Sequence, residues 1–224
     1  MSKKIMLLAL AVVSAALFAL PAVASAAEIH WEAASLQNFT VSGPPGELRA
    51  ETKPTITCES TDGSGAQTST TTGTISLDFT GCHINVLGFT VKCRSAESKL
   101  DNTIATGGTY HLIKYVHKTT GKADENKPAI LVTANTTKVE CAGTTLYITG
   151  DVIGTITSPS CGGSSKTLGL AFTGTGTVQN HIEYTGVKYD LKVSSNSNHT
   201  EEKTGALVGT DTVTALAEGK LNCT

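Results

Sequence analysis

Two residues at strand spacing carry the densest chemistry in the chain. His181 and Glu183 stand at i, i+2, so in an extended segment they share a face and could supply two ligands to a metal ion or act as an acid/base pair. No third partner is identifiable and H-E-x-x-H is absent, so the expectation is a pair of outward polar residues on a wet sheet face. His111 and His117 also share a parity, with Ile113 and Tyr115 between them, but six strand residues span about 20 Å and one ion cannot bridge that. Serine-nucleophile signatures fail: G-x-S-x-G does not occur, and Asp62-Gly63-Ser64-Gly65 has the composition of a turn. The carboxylates available for glycoside hydrolysis, such as Asp78, Asp101, Asp151, Glu183 and Asp190, fall mostly on polar faces or in turns. No catalytic, cofactor-binding or metal-ligating residue is assigned, and the chain is expected not to be an enzyme.

Cysteine is the other reactive type. Cys58, Cys82, Cys93, Cys141, Cys161 and Cys223 form an even set without a C-x-x-C, which reads as three structural disulfides rather than a zinc site. Sequence alone does not select among the pairings. Proximity along the chain favours Cys82 with Cys93 and Cys141 with Cys161, leaving Cys58 for Cys223.

Disulfides need an oxidising compartment, and the N-terminus has the grammar of an export signal. Lys3 and Lys4 precede an apolar run from Ile5 to Leu20; Pro21 and the small-x-small site Ala24-Ser25-Ala26 follow. Residues 1–26 read as a cleaved signal peptide and the product as extracellular, with no transmembrane segment after cleavage, since a run of 16 residues is short for a span. Net charge is −2 and only two arginines occur, which leaves no basic stripe for nucleic acid.

The elements that must position these residues are strands. The chain holds 36 Thr, 18 Ser and 22 Gly, a composition suited to pleated surfaces and turns. Ile75, Leu77 and Phe79 alternate with Thr74, Ser76 and Asp78; Phe89, Val91 and Cys93 alternate with Thr90 and Lys92; Val187, Tyr189, Leu191 and Val193 alternate with lysines and Asp190. Residues 128–133 are apolar on both parities, as in a strand covered on both faces.

Two registers run longer, Leu146 to Ile156 and Leu168 to Tyr184, and both keep parity across glycines. A straight strand over 146–156 would be roughly 35 Å long, so glycine bends in a closed or strongly coiled sheet are expected. The fold class is all-β and antiparallel, barrel-like or a two-layer sandwich with long bent strands, its hairpins arriving in sequence order. Residues 27–53, with Trp31 and the hinge Gly43-Pro44-Pro45-Gly46, read as an irregular N-terminal lead-in to one disulfide-stabilised β domain over 54–224. Polar stretches at 118–127, 158–166 and 194–203 read as solvent loops.

The runs Ile56-Thr57-Cys58, Thr72 to Cys82 and Thr149 to Pro159, with Cys161 and the strand from Leu168 to Gly174, resemble a group of uncharacterised secreted Thr/Gly-rich β-proteins of high-GC soil actinobacteria. The resemblance covers roughly residues 48–224 and implies an exported bacterial protein; it transfers no activity and no functional residue. The expected role is a secreted, non-enzymatic β domain that binds a small ligand or an extracellular surface partner. The competing roles are a hydrolase with residues converging from several strands, and a structural envelope or matrix protein.

Overall fold

The computed structural model describes residues 29–223 apart from 52, 97, 99, 118–124, 142 and 186. The signal-peptide reading of residues 1–26 and most of the 118–127 loop lie outside the described residues. Strands account for 72% of the described residues, and no helix occurs among them.

In chain order the strands are β1 (Ile29–Glu32), β2 (Asn38–Gly43), β3 (Gly46–Ala50), β4 (Ile56–Cys58), β5 (Ser60–Gln67), β6 (Thr72–Thr80), β7 (His83–Val86), β8 (Phe89–Ser95), β9 (Ile104–His117) and β10 (Glu125–Ala134). They continue as β11 (Thr137–Cys141), β12 (Thr144–Ser158), β13 (Ser164–Phe172), β14 (Gly174–Thr175), β15 (Val178–Gln179), β16 (Glu183–Tyr184), β17 (Val187–Lys188), β18 (Leu191–Ser194) and β19 (Lys203–Cys223).

The ladders close into two antiparallel rings. One runs β19-β2-β5-β6-β9-β10-β12-β13 and back to β19. The other runs β19-β3-β4-β7-β8-β11-β12-β18 and back to β19. The long strands β12 and β19 belong to both. Five short interruptions join the rest: β2 continues into β3, β4 into β5, β6 into β7, β8 into β9 and β10 into β11. The molecule is therefore one up-and-down circuit of eight long strands, all but β19 bent or broken at mid-height, with the hairpins in sequence order. One end carries Trp31, the other the β7–β8 hairpin around Leu87.

Gly150 makes one of these bends without breaking β12. Its φ is +94°, and a side chain there would strike the Asp190 carbonyl. The second long register behaves differently. Strand β13 stops at Phe172, and residues 173–190 leave the wall as two small hairpins, β14–β15 and β16–β17, before β18 rejoins it. Parity from Leu168 to Tyr184 does not mark one strand, and Val187 is exposed while Leu191 and Val193 point inward. The excursion explains the doubly apolar stretch at 128–133. Ile130 and Val132 face the interior, while Ala129 and Leu131 pack outward with Ile113, Tyr115 and Ile153, beneath Tyr184 and Tyr189.

Residues 27–53, expected to be irregular, instead supply β1, β2 and β3 and close both rings onto β19. The Asp62-Gly63-Ser64-Gly65 tetrad is not a turn; it lies within β5, where Gly65 is directly opposite Phe39 and leaves room for its ring. The same device recurs. Gly73 lies opposite Tyr110, and Gly154 sits against Phe172. An aromatic over a cross-strand glycine fills the interior with few aromatic residues.

The three disulfides are Cys58–Cys82, Cys93–Cys141 and Cys161–Cys223, which corrects every pairing expected from sequence proximity. Cys58, Cys82, Cys93 and Cys141 form one inward row across β4, the residue preceding β7, β8 and β11. Cys93 donates its amide to the Cys82 carbonyl at 2.8 Å. In an antiparallel ladder that hydrogen-bonded pair is the wide one, and the next pair, towards Cys141, is narrow. The bridged Cα atoms are accordingly 4.0 and 4.3 Å apart. The third bridge ties the turn after β12 to the end of β19. No cysteine is free, which fits an oxidising compartment.

Candidate functional site

Between the two rings the interior is not filled. At mid-height, where the bends lie, the structure holds an apolar cavity of about 120 Å³. Its wall is built at strand periodicity: Ile75, Leu77 and Phe79 come from β6, Val132 and Ala134 from β10, Ile148 and Val152 from β12. Leu170 and Phe172 end β13, Leu191 begins β18, and Leu207 lies on β19. A smaller hollow of about 50 Å³ lies towards the Trp31 end, bounded by Trp31, Phe39, Tyr110, Ile130, Leu168 and Val213. The two are stacked. Phe39, Ile130 and Leu168 line the small hollow, and the residues two further on, Val41, Val132 and Leu170, line the large one, with Ile75 common to both. Burial pushes the Tyr110 phenol up to about 12.

Few polar groups reach this space. Thr106 and Thr137 bond to each other at 2.7 Å, and Glu47 is held by Arg49 at 2.8 Å. Asp211 is the exception. It lies on the inward parity of β19, and burial raises its pKa despite a hydrogen bond with Thr61. Gly43 is required beside it, because any side chain there would overlap the Asp211 carboxylate. At the Trp31 end Lys166 lines the small hollow, on the inward parity of Leu168 and Leu170, where a bulge interrupts the β13–β19 register.

Beside the cavity, one side of β19 has a gap in its ladder. On β19, β13 pairs as far as Gly209 and β18 begins at Gly205, leaving Ala206–Val208 without a strand partner on that side. The buried side chain of Gln179 fills the gap. Its amide accepts from the Leu207 N–H at 2.9 Å and donates to the Leu207 carbonyl at 3.0 Å, as a strand residue would. The excursion 173–190 thus caps this unpaired stretch of β19, whose Leu207 side chain lines the cavity, with one glutamine.

The residues singled out from the sequence lie elsewhere. His181 stacks edge-on against Tyr115 with ring centroids 4.4 Å apart, and Glu183 is exposed on β16. His111 meets Tyr184 on the outer face, and the His117 side chain is outside the described residues. Asp190 pairs with Lys192 at 2.8 Å, and Asp101 lies 4.0 Å from Arg94. Asp78 is exposed, opposite Asp62. Among the described residues no three of His, Cys, Asp and Glu converge in a metal-binding arrangement. Asp211, Lys166 and Gln179 were not singled out. The detectable signal for the first two was a charge at the position where an apolar parity should continue.

No known protein family, curated protein or solved structure matches the chain.

Proposed function

We propose that this is a secreted, non-enzymatic carrier or sensor that holds a compact apolar molecule in the mid-height cavity. The cavity itself is the observation that supports the reading. Protein interiors leave few voids larger than a water molecule, and an empty space of about 120 Å³ costs about 3 kcal/mol. Such a cost is understandable where a ligand offsets it. An engineered apolar cavity of similar size takes up benzene, so the occupant here is of the order of six to eight heavy atoms. Asp211 and the Thr106–Thr137 pair give that molecule a polar handle at the rim. The Gln179 patch is the proposed route of entry, since a single side chain stands there in place of a strand.

Native mass spectrometry of the exported protein tests this directly. The expected spectrum shows a chain beginning at Ala27, three disulfides and a retained small mass that is lost on collisional activation. A protein that never carries or takes up an apolar compound contradicts the proposal.

A second reading, a structural envelope or matrix protein, draws on the outer surface. Thr214, Thr40, Ser64 and Ser76 form one exposed hydroxyl row across β19, β2, β5 and β6. Co-sedimentation with insoluble cell-envelope polymer that is lost in Thr40→Val/Ser64→Val favours this reading; unchanged co-sedimentation removes it.

A further inference from the structure

The β7–β8 hairpin ends in Val86-Leu87-Gly88-Phe89, and its tip is apolar and open to solvent. Leu87 is 93% exposed, Phe89 74% and Val86 38%. Val86 pairs with Phe89, so Leu87 and Gly88 are a two-residue loop; their φ values of +50° and +86° are those of a type I′ turn. That turn favours Asn-Gly or Gly-Gly, and a branched apolar residue is poorly suited to its first position. Leu87 thus gains nothing from burial and sits in a strained backbone region. A residue that opposes both folding preferences at one exposed position marks a contact made outside the fold.

The hairpin is built to project rigidly. The neighbouring β11–β12 turn begins beside Cys141, directly across from Cys93, so the tip extends four residues, roughly 13 Å, further. Its base is fixed on both sides, by Cys58–Cys82 and by Cys93–Cys141.

Charge selects the occupant. From His83 to Ser95 the hairpin carries Lys92 and Arg94 and no carboxylate. Lys92 is exposed about 10 Å behind Phe89, while Arg94 lies further back, directly across from Glu140 and near Asp101, so Lys92 is the cation nearest the tip on this hairpin. An apolar tip immersed 5–10 Å at a membrane interface places Lys92 among the lipid headgroups. The three tip side chains expose on the order of 300–400 Å², about half of what one partner buries in a standard protein interface, and the tip presents no groove. We infer that the β7–β8 tip inserts into the surface of an anionic lipid bilayer, with Leu87 and Phe89 in the apolar layer and Lys92 at the phosphates.

Co-sedimentation of the full exported chain with phosphatidylglycerol/phosphatidylcholine vesicles and with pure phosphatidylcholine vesicles tests this. The expected result is binding to the anionic vesicles that weakens at least tenfold in Leu87→Asn/Phe89→Thr and about fivefold in Lys92→Gln. Leu87→Asn alone restores the favoured turn, so its melting temperature stays equal or rises, which separates lost binding from lost folding. Failure to pellet with either vesicle overturns the inference, as does equal pelleting of the double variant. Concentration-dependent self-association without vesicles, abolished by the same substitutions, overturns it in favour of a second copy of the chain.

Discussion

The two rings solve the same packing problem differently. The ring at the Trp31 end is filled by Trp31, Phe39, Tyr110 and Phe172, with glycines making room for the rings. The cluster at the Leu87 end is built from four cysteines in one row and aliphatic side chains, with Phe79 the one aromatic among the described residues packed against it. Stacked aromatic–glycine pairs rely on area removed from water, whereas the cysteine row relies on restriction of the unfolded chain. The cavity lies where the two modes meet, and neither reaches far enough to fill it.

The largest way to break this contrast is to remove a bridge. Cys93→Ala/Cys141→Ala opens a loop with a sequence separation of 48 and should cost about 4 kcal/mol in a denaturant titration. Crowding a glycine in the other ring should cost less. Gly154→Val forces a side chain against the Phe172 ring and is expected to destabilise by about 2–3 kcal/mol. Gln179→Ala leaves the Leu207 amide and carbonyl without their partner, for about 2 kcal/mol, and should accelerate exchange of an apolar probe if the patched gap is the entrance.

The smallest effect is electrostatic. Burial raises the Asp211 pKa above 3.8, so the folded state holds this proton more tightly than the unfolded chain does. Its contribution is most favourable below pH 3.8 and is lost as pH rises through the folded pKa. Asp211→Asn should therefore be more stable than the parent at pH 7, with the gain disappearing near pH 3 in paired thermal melts.

Short-range pattern made the wall legible and little else. Alternation at Ile75, Leu77 and Phe79 and the glycine bend at Gly150 follow from side-chain periodicity and backbone geometry, which are local properties. Where the environment changed along a strand, parity misled. Phe89, read with Val91 and Cys93 as inward, is exposed because the hairpin outruns the neighbouring β11–β12 turn. The disulfides were misread because sequence distance ignores which strands lie side by side; Cys82 and Cys93 do face each other, but across the wide pair. The cavity had no sequence signature, since it arises from bends in separate strands meeting at one height.

The central claim is that this space receives an apolar molecule. Ala134 lines it from β10, so Ala134→Leu fills it from within. Calorimetric titration of parent and variant with a benzene-sized probe is the most direct test. The account predicts saturable one-to-one binding by the parent, a melting temperature that rises with probe concentration, and no binding by a more stable Ala134→Leu protein. Equal uptake by both proteins, or none by the parent, would contradict it.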